Sequence, residues 1–83
     1  MHKDENWAVD TGRIRAFFRE QPDMREVNDL FIFGSCIITL IPQTAKAMDK
    51  WQIPRTQLIF EGDEDDVQTI YRRFFLRFLS AGG

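Results

Sequence analysis

The sequence predicts a small two-layer α+β domain, and three observations carry that expectation. Apolar residues recur at helical spacing near both ends of the chain, as in Ile14, Phe17 and Phe18 or Ile70, Phe74 and Phe78. Between them lies an apolar run over residues 30–41, rich in β-branched and aromatic side chains and split by Gly34-Ser35. Pro22, Pro42, Pro54 and Gly62 punctuate the remainder. The predicted order is helix, β-hairpin, helix, strand, helix, with a three-stranded sheet. Met24, Val27, Phe31, Gly34, Ile38 and Ile41 also fall at helical spacing, so the alternative is an all-α fold in which residues 23–41 form one buried helix.

The elements follow in order. Eighty-three residues suit one domain spanning 1–83. Residues 1–6 are charged or polar and are expected as a mobile tail. The first helix starts at a cap supplied by Asn6 or Thr11; Gly12 would cost about 1 kcal/mol inside it and favours the later start. Pro22 ends it, because a residue before proline is pushed out of the helical region. Gly34-Ser35 then suits a two-residue type II′ turn, where glycine supplies the positive φ. Residues 42–51 read as a short helix with Pro42 near its start and Ala45, Met48 and Trp51 facing inward. Residues 55–61 read as a strand stopped by Gly62. The last helix has Asp63 at its cap, acids in its first turn, arginines later and Gly82 beyond its end, all matching the helix dipole.

Composition excludes several classes. A hydrophobic fraction of 43%, with eight phenylalanines, is too apolar for a disordered chain. Residues 30–41 are too few to cross a bilayer, and no secretory signal is visible, so a cytoplasmic protein is expected. A single cysteine, Cys36, allows no internal disulfide and sits in an apolar run, where a buried, inert thiol is expected. A net charge of −2 offers no global attraction to nucleic acid or anionic lipid.

Chemistry is thinly provisioned. His2 is the only histidine, so Ser35 and Ser80 have no ordered base, and no zinc set can be assembled around Cys36. The acidic stretch 61–66 lacks the glycine and glutamate spacing of a calcium loop and reads as a helix N-terminus. No glycine-rich phosphate loop occurs, and no motif of a known family is recognised. No cofactor, metal or catalytic residue is therefore expected, and the chain reads as non-enzymatic.

The remaining signals point to contacts. On the last helix Val67, Ile70, Tyr71, Phe74, Phe75, Phe78 and Leu79 span an arc wider than a core-facing stripe needs. Phe75, Leu79, Tyr71 and Arg72 at its edge are the candidate interface residues, since aromatics and arginine are enriched in protein contacts. The expectation is a protein-interaction module, a subunit, adaptor or inhibitor of a larger protein, that self-associates through this helix as a homo-oligomer. The alternative is a nucleic-acid-binding regulator that uses the helix-adjacent pairs Arg15 and Arg19, and Arg73 and Arg77.

Overall fold

A computed structural model describes the backbone of residues 1–47 and 51–79 and the side chains of residues 1–43 and 53–79. Its elements are β1 (His2–Trp7), α1 (Thr11–Glu20), β2 (Met24–Val27), β3 (Leu30–Phe33), β4 (Cys36–Ala47), β5 (Trp51–Glu61) and α2 (Glu64–Phe78). The strands form one antiparallel sheet in the order β1-β5-β4-β3-β2. Among the described residues the architecture is a five-stranded sheet with two helices, which overturns the predicted three-stranded sheet and its element order. The all-α alternative fails too, because residues 23–41 hold β2, β3 and the start of β4.

Three local rules account for the strands. Gly34-Ser35 joins Phe33 to its partner Cys36, and Gly34 carries the positive φ of 59° that the turn requires. A Cβ there would also stand 2.7 Å from Asp66 Oδ2, so space and backbone both select glycine. Asn28-Asp29 makes the second tight turn, between Val27 and Leu30, with Asn28 in the left-handed region at φ 56°. The predicted helix at 42–51 is instead the far end of β4 and the start of β5. Pairing between β3 and β4 stops at Thr39, and pairing between β1 and β5 stops at Thr56. Beyond those points β4 and β5 each keep an unpaired edge, where Pro42 and Pro54 can omit an N–H without breaking the ladder. The inward orientation expected of Ala45, Met48 and Trp51 lies outside the described side chains.

The expected N-terminal tail is strand β1, paired to β5 from His2↔Glu61 to Trp7↔Thr56. Behind it Asp10 caps α1, accepting from Arg13 N at 3.3 Å, in place of Asn6 or Thr11. The Thr11 hydroxyl lies 2.6 Å from the buried Thr56 hydroxyl, which donates to the Val9 carbonyl at 2.8 Å. That chain of bonds fixes the turn between β1 and α1 against β5, so the one buried polar side chain among the described residues is satisfied.

Both helices cover one face of the sheet. Ile14, Phe17 and Phe18 of α1 and Val67, Ile70, Phe74 and Phe78 of α2 close over Phe31, Ile38, Leu40, Leu58 and Phe60. Phe18 stacks on Phe74 with ring centroids 5.8 Å apart, and Phe74 meets Phe78 at 5.2 Å. Arg19 of α1 bridges Glu26 of β2 through two bonds of 2.9 and 3.0 Å.

Candidate protein-docking surface

The strand register sorts every side chain to one face or the other. Toward the helices point the rows Phe31–Ile38–Phe60–Lys3 and Leu40–Leu58–Glu5. Away from them point Arg25–Ile32–Ile37–Glu61–His2, then Val27–Leu30–Thr39–Ile59–Asp4, then Ile41–Gln57–Asn6. No described helix covers this second face. Its middle is aliphatic: Val27 is 44% exposed, Ile37 42% and Ile41 38%, with Leu30, Ile32 and Ile59 half-buried among them. An antiparallel sheet with one wet face normally alternates apolar and polar along each strand. Here β3 is apolar at all four positions, Leu30, Phe31, Ile32 and Phe33, and β4 reads Ile37, Ile38, Thr39, Leu40, Ile41. Both parities are apolar, so both faces call for cover, and only one receives it.

The sheet face was not among the sequence-predicted site residues. Its signal was present in the missing alternation, which reads as two-sided burial once the strands are known. At its polar end, β1 places His2 Nδ1 2.8 Å from Glu61 Oε1, while Gln57 donates to Asp4 at 2.9 Å and Arg55 donates to Asn6 at 2.8 Å. These bonds give the aliphatic middle a polar border.

The predicted interface residues of α2 separate. Tyr71 is half-buried and donates its hydroxyl to both Glu5 oxygens, at 2.8 and 2.9 Å, beside the Trp7 indole N–H, which donates to Glu5 at 2.9 Å. Burial, followed by the Glu5 carboxylate, pushes the Tyr71 hydroxyl up to about 12. Phe75 is half-buried against Trp7, with centroids 5.8 Å apart, whereas Leu79 is 53% and Leu76 64% exposed. Arg72 is exposed and, with Lys3, Gln68 and Tyr71, lines an open groove of about 510 Å³ between β1 and α2. Phe74 and Phe78, the centre of the aromatic arc, are spent in the chain's own core.

The arginines disperse over separate neighbours. Arg19 is held by Glu26, and Arg73 lies over the Phe33 ring at 5.2 Å. Arg77 approaches the Phe78 ring at 5.5 Å, and Arg13 reaches the same ring at 5.8 Å. Glu20 lines the shallow groove beside those two cations.

Cys36 is fully buried, and desolvation pushes its thiol up to about 11, far from a reactive thiolate. Among the described residues no group of three His, Cys, Asp or Glu side chains is arranged to hold a metal ion. No helix of the described residues is long and apolar enough to cross a membrane. Around α2's start the acids have structural duties. Asp66 accepts from the Ser35 N–H at 2.8 Å and from its hydroxyl at 2.7 Å, and that hydroxyl accepts from the Asp63 N–H at 2.9 Å. Asp63 stands at the N-cap as predicted, but its side chain makes no cap bond, and its own N–H is instead taken by the hairpin's Ser35 hydroxyl.

Comparison with known proteins returns one finding. The model of a family described as archaeal MoaD-like protein matches residues 13–83. No curated protein and no solved structure matches the chain.

Proposed function

The chain belongs to the archaeal MoaD-like protein family, and from that premise we propose that it is a sulfur carrier that works docked to a partner protein. The family match over residues 13–83 carries this reading. Membership supports reading the chain as a small carrier protein and not as a catalytic enzyme. A carrier must be handed between proteins, and the bare aliphatic sheet face offers the means of docking. The α2 flank of Tyr71, Arg72, Phe75 and Leu79 is a second place for a partner to bind, beside the groove floored by β1.

The cargo would ride somewhere other than Cys36. A thiol that is buried and pushed up to about 11 neither attacks a sulfur donor nor releases sulfur to an acceptor. Gly82 and Gly83, outside the described residues, lack side chains and so can enter a narrow site on a partner. The peptide containing them is the first to inspect. The test is intact-mass and peptide mass spectrometry of the protein purified from its native host. A fraction heavier by the exchange of one oxygen for one sulfur is expected, and it should persist in Cys36→Ser. Loss of that fraction in Cys36→Ser, or its absence from the native protein, would overturn the reading.

A further inference from the structure

The aliphatic sheet face carries a charge pattern that decides what fits it. Reading across β2, β3, β4 and β5, one row is Arg25, Ile32, Ile37, Glu61, and the next is Val27, Leu30, Thr39, Ile59. The first row runs from cation through two aliphatics to anion. The second is uncharged throughout. Turned by 180° about an axis parallel to the strands and lying between β3 and β4, such a face is its own complement. Ile32 then meets Ile37 of the second copy, Leu30 meets Thr39, Val27 meets Ile59, and Arg25 meets Glu61. The same set recurs on the other side of the axis.

From this register we infer that the outer sheet face pairs with a second copy of the chain, as a two-fold, face-to-face sheet sandwich. The inference deepens the docking role assigned to this face above and rests on that reading for its biological use, though not for its geometry.

Distances allow the pairing. Strands stand about 4.8 Å apart and facing sheets about 10 Å apart. Arg25 and Glu61 therefore sit about 7 Å to either side of the axis, and their long side chains together span the gap between sheets. Sheets pack at roughly −30°, so pairs near the axis keep register and distant ones lose it. All eight residues are on the four strands nearest the axis; β1, with His2, Asp4 and Asn6, falls outside as a polar rim. Among the described residues Arg25 has no ion pair of its own, while Glu61 is engaged only by the exposed His2. An axis across the strands in the Arg25 row would place Arg25 opposite Arg25 and Glu61 opposite Glu61, which like-charge repulsion disfavours, and one between the two rows would leave both charges facing aliphatic side chains.

The footprint is small, roughly 19 Å across four strands by about 14 Å along the four-residue strands β2 and β3. An interface of that size is smaller than stable complexes use and fits a weak, reversible dimer that a protein partner can displace. A homodimer formed at high protein concentration is therefore the occupant assigned to the docking face.

Charge reversal tests this with a result that mere surface stickiness cannot imitate. Sedimentation velocity of the full chain over tens to hundreds of micromolar should show a concentration-dependent dimer. Arg25→Glu and Glu61→Arg should each weaken it by about tenfold or more, since each puts like charges together twice. An equimolar mixture of the two single variants should recover the dimer as a heterodimer, and the double variant should recover it alone. Circular dichroism controls for folding, because both residues are exposed and outside the core. A wild-type chain that stays monomeric, or single variants that gain nothing when mixed, would overturn the inference. A monomer that still carries sulfur would sink the dimer and leave the carrier reading standing; a charge-dependent dimer without sulfur would do the reverse.

Discussion

Ile37 and Ile38 are chain neighbours of the same type in the same strand, yet Ile38 is fully buried and Ile37 is 42% exposed. Ile38 points to the face under α1 and α2, Ile37 to the face that nothing described covers. The two faces of one sheet thus have opposite uses. The inner face spends its apolar surface on the chain's own stability, and the outer one leaves it exposed, where the proposed docking role would use it. Composition alone does not separate them, because β3 and β4 are apolar on both sides.

The largest break in that contrast should come from α2. Phe74 touches Trp7, Phe17, Phe18, Phe60 and Phe78, so Phe74→Ala opens the centre of the core. The expected cost is about 3–5 kcal/mol, comparable with the whole stability of a domain this size. Phe75→Ala, half-buried against Trp7 and Tyr71, should cost far less and leave the far-ultraviolet circular dichroism unchanged. Urea melts of the two variants make the comparison, and equal losses would mean that the α2 flank is core as well.

Sharper still is the neighbouring pair. Ile38→Ala should cost about 2–5 kcal/mol. Ile37→Ala should cost under about 1 kcal/mol in the monomer, because much of its side chain already meets solvent. The second variant should instead weaken association, read by sedimentation. If Ile37→Ala unfolds the chain to the same extent as Ile38→Ala, the outer face is structural and its docking role is lost.

How much of this was legible in the sequence depended on where each element's information lay. The hairpin at Gly34-Ser35, α1 and α2 announced themselves through a turn glycine, a proline stop and apolar spacing, all local signals. Strand β1 could not be read, because its inward residues Lys3, Glu5 and Trp7 are mostly charged. They are acceptable there only because β1 is an edge strand, and Glu5 finds Tyr71 sixty-six residues away. Residues 42–55 misled for a related reason. Two prolines argue against a strand unless each strand has a free edge, and that freedom follows from where β1 and β3 stop pairing. The docking face needed the complete register before its rows could be seen at all.

A smaller effect tests the hairpin that joins β3 to β4. Gly34→Ala places a methyl carbon against Asp66 at a left-handed φ of 59°, so it should destabilise by about 1–2 kcal/mol. Ser35→Ala, which keeps the backbone but removes the hydroxyl that takes the Asp63 N–H at the start of α2, should cost about 1 kcal/mol. Thermal melts of both variants check the order. A Ser35→Ala loss exceeding that of Gly34→Ala would place the strain in the cap and not in the turn.

The smallest expected effect is also the most specific, because it titrates. Asp66 accepts the Ser35 backbone N–H and then its hydroxyl, and these bonds hold its carboxyl below the usual carboxylate range. A carboxyl whose folded-state value is depressed contributes stability above its unfolded value, near pH 4, and loses it as pH falls through the folded value. Asp66→Asn removes that titration. The variant should be less stable than wild type at pH 7 and at pH 5, and the gap should close as pH falls from about 4 through the depressed folded value. Glu26 is also depressed, by the hydrogen bond from Arg19, so the wild-type acid limb contains both groups. Because Glu26 is present in both proteins, the difference between them isolates Asp66. Urea melts at four pH values between 7 and 2 supply the comparison. A gap that stays constant down to pH 2 would mean the hairpin is held to α2 by packing, with no part played by the carboxylate's charge.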